Sequence, residues 1–328
     1  MKKIIFTLII IALATSCSHE EQQLQFNDNV HIEQKRALLD LRSKIKTLNN
    51  HFEKTYGISK EIAQRRKSLK SFFTRILNVV VSDVGGALKG AINGQNVLRS
   101  AGEASARAGA KAIIDTANEL VNGPSPILRK MKKNHPTDTI GMTDFICTSG
   151  DALIGVVPTP SADTIANTNM VTLDSIGFYH NQVIINLFSE HNSISYWANL
   201  STTEIFNLID SAVAETTLNS IYIDNRSDNE LQTMASFCDN LSEMLDTYNS
   251  TTDFCSAISS FYPELGDAFC VMTVYIEGLI NQHGTENLMP YTNEVLTLID
   301  ASDILSELKS ALRSAAIIAL ASAKLWIV

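Results

Sequence analysis

The sequence predicts an all-α fold, and three observations carry that expectation. Apolar residues recur at helical spacing over most of the chain. Two S-x-x-E capping boxes, Ser201 with Glu204 and Ser227 with Glu230, stand directly before such runs. Strand-like alternation is confined to a short piece around Ile221 to Ile223. The architecture expected is a helical bundle with a basic N-terminal helical hairpin, a glycine-rich helix and an acidic C-terminal helical half.

In the basic region, Leu38, Leu41, Ile45, Leu48 and Phe52 are spaced by 3, 4, 3 and 4, an a/d seam among basic and polar residues. Gly57 and Ser59 interrupt the pattern, and Ile62, Leu69, Phe73, Ile76 and Val80 resume it. Two heptads fall short of the three or four that indicate a coiled coil, so a hairpin inside a bundle is expected.

The stretch "VSDVGGALKGAINGQNVLRSAGEASARAGA" places Ser82, Gly86, Gly90 and Gly94 at every fourth position, a spacing continued by Gly102, Ala106 and Ala110. A glycine inside a helix costs about 1 kcal/mol relative to alanine, so the cluster calls for a reason. Gly86, Gly90 and Gly94 are read as a packing stripe, a glycine zipper against which a second backbone can lie closely. Such stripes also occur in membrane helices. Here Asp83, Lys89, Arg99, Glu103 and Arg107 interrupt the stretch and make bilayer insertion costly.

Five of the seven prolines (Pro124, Pro126, Pro136, Pro158 and Pro160) fall within one segment, which reads as a loop-rich connection. Beyond it, Ile205, Leu208, Ile209 and Val213 line one face of a helix, and Met234, Phe237, Leu241, Met244 and Leu245 line another. "FCSAISSFYPELGDAFCVMTVYIEGLI" reads as helical with a break near Pro263, and "SDILSELKSALRSAAIIALASAKLWIV" as a further helix. The chain therefore divides into residues 1–16, a tether at 17–29, the basic and glycine-rich region 30–121, the Pro-rich loop region 122–170 and the acidic helical domain 171–328.

Charge is segregated across this plan. Residues 1–150 carry 22 Lys and Arg against 13 Asp and Glu, whereas residues 151–328 carry 4 against 22, giving the net −9 of the whole chain. An acidic half facing nucleic acid would be repelled by phosphate, so no nucleic-acid partner is expected. Either the halves pair within one chain or each faces its own partner; internal pairing needs no further assumption. Among the cysteines, Cys255 and Cys270 are a candidate disulfide, with buried thiols as the other reading.

The amino terminus explains the remaining cysteine. Lys2 and Lys3 precede the apolar run Ile4 to Ala14, which has the length of a signal-peptide core. Leu13, Ala14, Thr15 and Ser16 then lead into Cys17, and this sequence resembles a bacterial lipoprotein signal. The resemblance implies a lipoprotein: residues 1–16 are a signal peptide, cleavage precedes Cys17, and Cys17 is the lipidation site that anchors the chain to a membrane. Glu20 and Glu21 resemble the surface-export signal of Bacteroidota lipoproteins. That likeness implies the outer membrane, at the cell surface or on the periplasmic face.

In "DSIGFYHNQVIINLF", Gly177, His180 and Asn181 resemble the G-x-x-H-N element of uncharacterised Bacteroidota lipoproteins, which also tend to carry a glycine-rich helix. Gln182 stands where an acidic residue would follow in that element. The resemblance implies no activity. His180 and Asn181 are read as a functional pair or, more simply, as a buried histidine and its neighbour ordering a helix start.

Catalytic constellations are absent from the sequence: it has no G-x-S-x-G elbow, H-E-x-x-H, Walker loop or dinucleotide fingerprint. No cofactor and no metal are expected; His180, Glu190 and His191 are poorly spaced for a shared helix face, and no calcium loop occurs. With only Trp197 and Trp326, a glycan platform has little support. The function expected is a lipid-anchored, non-enzymatic binding or scaffolding module for an unknown envelope or surface protein. The alternative is a membrane-active or interbacterial antagonistic protein that uses the glycine-rich helix, and an enzyme of unknown type stands third.

Overall fold

The computed structural model describes residues 32–56, 70–93, 96–119, 176–191, 194–217, 227–248, 251–282 and 285–326, and among these the chain is all-α with no strand. Cys17, the tether, the Pro-rich segment and Ile221 to Ile223 lie outside the described residues.

Helix α1 (residues 32–56) buries Leu38, Leu41, Ile45 and Phe52, with Leu48 partly covered, so the seam read from spacing is its inner face. That face lies on the C-terminal half. Asn49 Nδ2 donates to Val274 O at 2.9 Å, and the Tyr291 hydroxyl donates to Asn49 Oδ1 at 2.5 Å. At the other end of α1, Gln34 Oε1 accepts from the Leu305 N–H at 2.8 Å. The described part of the second arm of the expected N-terminal hairpin runs on into the glycine-rich stretch. Residues 57–69 lie outside the described residues, and Phe73, Ile76 and Val80 belong to α2 (Lys70–Ile92).

That stretch is two helices rather than the single one expected. Helix α2 ends at Ile92, a turn follows at Asn93, and α3 spans Val97–Glu119. Asn96 starts α3: its side-chain oxygen accepts from the Arg99 N–H at 3.1 Å, satisfying one of the orphan donors of the first turn. The small residues of α2 therefore face those of α3 across an antiparallel crossing. A Cβ on Gly86 would sit 2.3 Å from Ser100 O and 2.7 Å from Ala104 Cβ, and one on Gly90 would sit 2.7 Å from Ser100 Oγ. Only glycine permits that separation. Gly94 lies outside the described residues.

Most of the remaining helices pack on this α2–α3 hairpin. Helices α4 (Ile176–Glu190), α5 (Ile194–Ala198) and α6 (Thr202–Thr217) pack on α3. Helix α7 (Asp228–Thr247) touches both arms. Helix α8 (Thr251–Phe261) leads to α9 (Pro263–Asn281), which packs on α2. Helix α10 (Leu288–Asp300) connects to α11 (Ser306–Trp326), which lies along α2 and α4.

Local signals account for these ends. Both capping boxes form: Ser201 N and Ser227 N donate to Glu204 and Glu230 at 2.7 and 2.9 Å, and each serine Oγ accepts from its glutamate N–H at 3.3 Å. Pro263 opens α9 at a first-turn position, where its missing N–H leaves no bond unmade. Ile205, Ile209 and Val213 are buried on α6, as are Met234, Phe237, Leu241 and Met244 on α7. Helix α10 is an addition to the helices expected from sequence. Pro290 in "LMPYTNEVLTLID" lies within its first turn, where backbone N–H groups have no helical partner.

Candidate functional site

The glycine-rich hairpin carries its charged residues into the centre of the bundle. Asp83 on α2 is fully buried, and its Oδ2 accepts from Ser322 Oγ of α11. His180 of α4 is also fully buried, with Nε2 3.6 Å from the same carboxyl oxygen, too far for a hydrogen bond. Its Nδ1 pairs with Asn181 Oδ1 at 3.1 Å, and Asn181 Nδ2 donates to Ala321 O at 2.9 Å. Gly177 completes the contact: a Cβ there would lie 3.0 Å from Ala321 Cβ and 3.2 Å from Ile317 O. Gly177, His180 and Asn181 thus form the seat on which α4 receives α11, joined to α2 through Asp83.

Electrostatics make this knot neutral near pH 7. Burial pushes the Asp83 carboxyl up to about 8, against the opposing hydroxyls of Ser322 and Ser105. Burial likewise lowers His180 to about 4, against the bond to Asn181. A carboxylic acid facing a neutral imidazole places no net charge in the core. The trio of Ser322, Asp83 and His180 has the residue types of a nucleophilic triad but not its connectivity. The serine bonds the carboxyl rather than the imidazole, and none of the three reaches solvent. Its chemistry is that of a core hydrogen-bond network fixing the register of α2, α4 and α11.

A second group of charges joins the halves. Arg99 on α3, only 5% exposed, bonds Asp210 of α6 at 2.5 Å and lies 3.4 Å from the fully buried Glu103. Burial raises the Asp210 carboxyl and Arg99 holds it back. Farther along α3, Arg107 reaches Asp239 at 3.0 Å and Lys111 pairs with Asp246, a ladder against α7. On α2, Lys89 bonds Glu264 at 3.2 Å and lies 5.9 and 5.6 Å over the rings of Phe237 and Tyr262. The opposite charges of the two halves meet inside one chain.

The structure holds Cys255 on α8 and Cys270 on α9 as buried thiols that lie beside each other. Arg42 Nη2 stands 4.0 Å from Cys255 Sγ, and Thr273 Oγ1 stands 3.5 Å from it. Cys238 is buried on α7.

Of the residues singled out from sequence, His180 and Asn181 come together in the core, Gly86 and Gly90 meet α3, and Cys255 and Cys270 meet each other. Sequence reasoning missed Asp83 as the partner of His180 and Arg42 as the partner of Cys255; one signal for the former is a lone acid in a run of small and apolar residues. His191 stacks on Tyr196 at 4.2 Å, with Trp197 Nε1 donating to His191 O at 2.6 Å and its indole buried. Among the described residues, no three His, Cys, Asp or Glu side chains converge as a metal set, and no helix is long and apolar enough to cross a membrane. No family model, no curated protein and no solved structure matches the chain.

Proposed function

We propose that this chain is a lipoprotein of the bacterial outer membrane, anchored through Cys17, that works as a non-enzymatic binding or scaffolding module for another envelope component. The observation that carries the choice between module and membrane-active protein is the position of the α2–α3 hairpin. Its small residues are taken up by the α2–α3 contact at Gly86 and Gly90, and Asp83, Lys89, Arg99, Arg107 and Lys111 all have partners on helices of the C-terminal half. Releasing the hairpin into a bilayer would break every one of those pairs and carry charges into hydrocarbon. The anchor is supported by the apolar run that ends at Cys17, and the likeness to Bacteroidota lipoproteins by Glu20, Glu21 and the Gly177, His180, Asn181 element. A single acyl chain binds membranes only marginally, so the two or more chains of a lipoprotein cysteine suit a stable attachment.

Two assays on the same preparations test the proposal. Metabolic labelling with palmitate is expected to mark the parent and to vanish in Cys17→Ala, which leaves the membrane fraction. Protein lacking the lipid is expected to leave dye inside vesicles. Labelling that persists in the variant contradicts the anchor, and dye release supports the membrane-active alternative.

A further inference from the structure

Helices α8 and α9 form an antiparallel hairpin about Tyr262, and their approach is unusually close near the turn. A Cβ on Gly266 would sit 2.4 Å from Ser259 Cα, so glycine alone lets the two backbones meet there. One helical turn farther from the bend, at four residues from each of these, stand Cys255 and Cys270. That spacing puts the two thiols beside each other across the hairpin, and both residues are buried, at 6% and 5% exposure. Around Cys255 the third helix, α1, contributes Arg42, whose guanidinium donates to Sγ at 4.0 Å, and α9 contributes the Thr273 hydroxyl at 3.5 Å. Arg42 Nη2 and Thr273 Oγ1 stand against Cys255 Sγ, whereas the neighbour of Cys270 is Ser259 of α8, and the Arg42 charge reaches both sulfurs.

We propose that Cys255 and Cys270 are a thiol–disulfide modification site, with Cys255 as the nucleophile that Arg42 activates and Cys270 as the resolving thiol. The Cys255 thiolate attacks one sulfur of a small disulfide such as oxidised glutathione, forming a mixed disulfide and releasing one glutathione thiolate. The Cys270 sulfur, on losing its proton, then attacks Cys255 Sγ, closing the protein disulfide and releasing the second glutathione thiolate. Two thiol protons go to solvent, and the two electrons reduce the glutathione disulfide. The asymmetry of the pair supports this order. The bond from Cys270, with Thr273 and Arg42, lowers the Cys255 thiol to about 7 against burial and Glu277, while the same contact with Cys255 and burial raise Cys270. Closing the disulfide also removes the negative charge that a Cys255 thiolate presents to Arg42, so oxidation weakens one of the contacts by which α1 is attached. The proposal rests on these residues and not on the lipid anchor, although an envelope address would supply the oxidising surroundings.

The test uses the reduced, intact protein exposed to oxidised glutathione, acid-quenched, alkylated in denaturant and mapped by peptide mass. The expected product is a Cys255–Cys270 peptide lighter by two hydrogens. Cys270→Ser is expected to stop at glutathione on Cys255, and Cys255→Ser to leave Cys270 unmodified. Arg42→Met is expected to slow the first step by about three- to tenfold near pH 7 and to move its pH profile upward, with Arg42→Lys restoring part of the rate. Ser259 on α8 and Glu277 on α9 are the other polar and charged groups facing the pair, and the Arg42 variants leave both in place. Recovery of both cysteines as separately alkylated residues overturns the site. An Arg42→Met profile identical to the parent, or glutathione placed on Cys270 as fast as on Cys255, overturns the assigned roles.

Discussion

Asp83 and His180 titrate in opposite senses, and the consequence is readable in stability. The folded carboxyl is raised from 3.8 to about 8, so folding favours the protonated acid, and its contribution is lost as pH rises through that range. The folded imidazole is lowered from 6.5 to about 4, so its contribution is lost as pH falls through that range. Between about 4 and 6.5 the two slopes oppose each other; above 6.5 only Asp83 of the two is left. The Asp83 contribution is therefore expected to fall by about 2 kcal/mol between pH 6.5 and 8, at about 1.4 kcal/mol per unit for one proton. The lowered Cys255 thiol offsets part of that fall above about pH 7. Asp83→Asn is expected to flatten that fall, measured by urea unfolding at each pH; an equal slope in parent and variant contradicts the buried acid. Gly86 gives a test of sign at the same scale. An exposed helical glycine gains about 1 kcal/mol on becoming alanine. Here the new methyl would meet the Ser100 carbonyl oxygen at 2.3 Å, a backbone atom that cannot rotate away. Gly86→Ala is expected to destabilise by about 1–3 kcal/mol in thermal or urea melts.

Between elements, the ion pairs differ in worth because they differ in burial. The Arg107–Asp239 and Lys111–Asp246 pairs are part-exposed, and such pairs contribute about 0–1 kcal/mol each. Arg99 is another matter, because removing it takes a buried cation away from the fully buried Glu103 and the partly buried Asp210. Arg99→Met is expected to cost about 3–5 kcal/mol, whereas Asp239→Asn stays within about 1 kcal/mol, both by urea unfolding. Equal effects would contradict the burial order. The same elements mark what the sequence could disclose. Ser201, Ser227 and Pro263 act through contacts three residues away or less, so the starts of α6, α7 and α9 were legible. The break between α2 and α3 was not, although Asn93-Gly94 is a turn signal and Asn96 a cap. Gly94 and Gly102 are eight residues apart, so the every-fourth register is kept across the bend, with Leu98 between them, and imitates one long helix. Partners were hidden for another reason: Asp83 and His180 are 97 residues apart, and nothing in either local pattern specifies which distant helix will face it.

At the scale of the molecule, the chain buries its glycine-rich hairpin, charged residues included, against acidic helices of its C-terminal half. That arrangement explains how an acidic half and a basic half coexist in one bundle, and why glycines that weaken a lone helix are kept where backbones must meet. It also bears on function, because a hairpin held by α4, α6, α7, α9 and α11 is a core element, whereas an inserting one must leave them. Hydrogen exchange along α2 and α3 in the intact protein, measured with and without vesicles, tests this most directly. The account predicts that the amides flanking Gly86 and Ser100 exchange in the slowest class, near the limit set by global unfolding, and that vesicles leave them unchanged. Exchange as fast as that of exposed loops, or protection that collapses when vesicles are added, would contradict it.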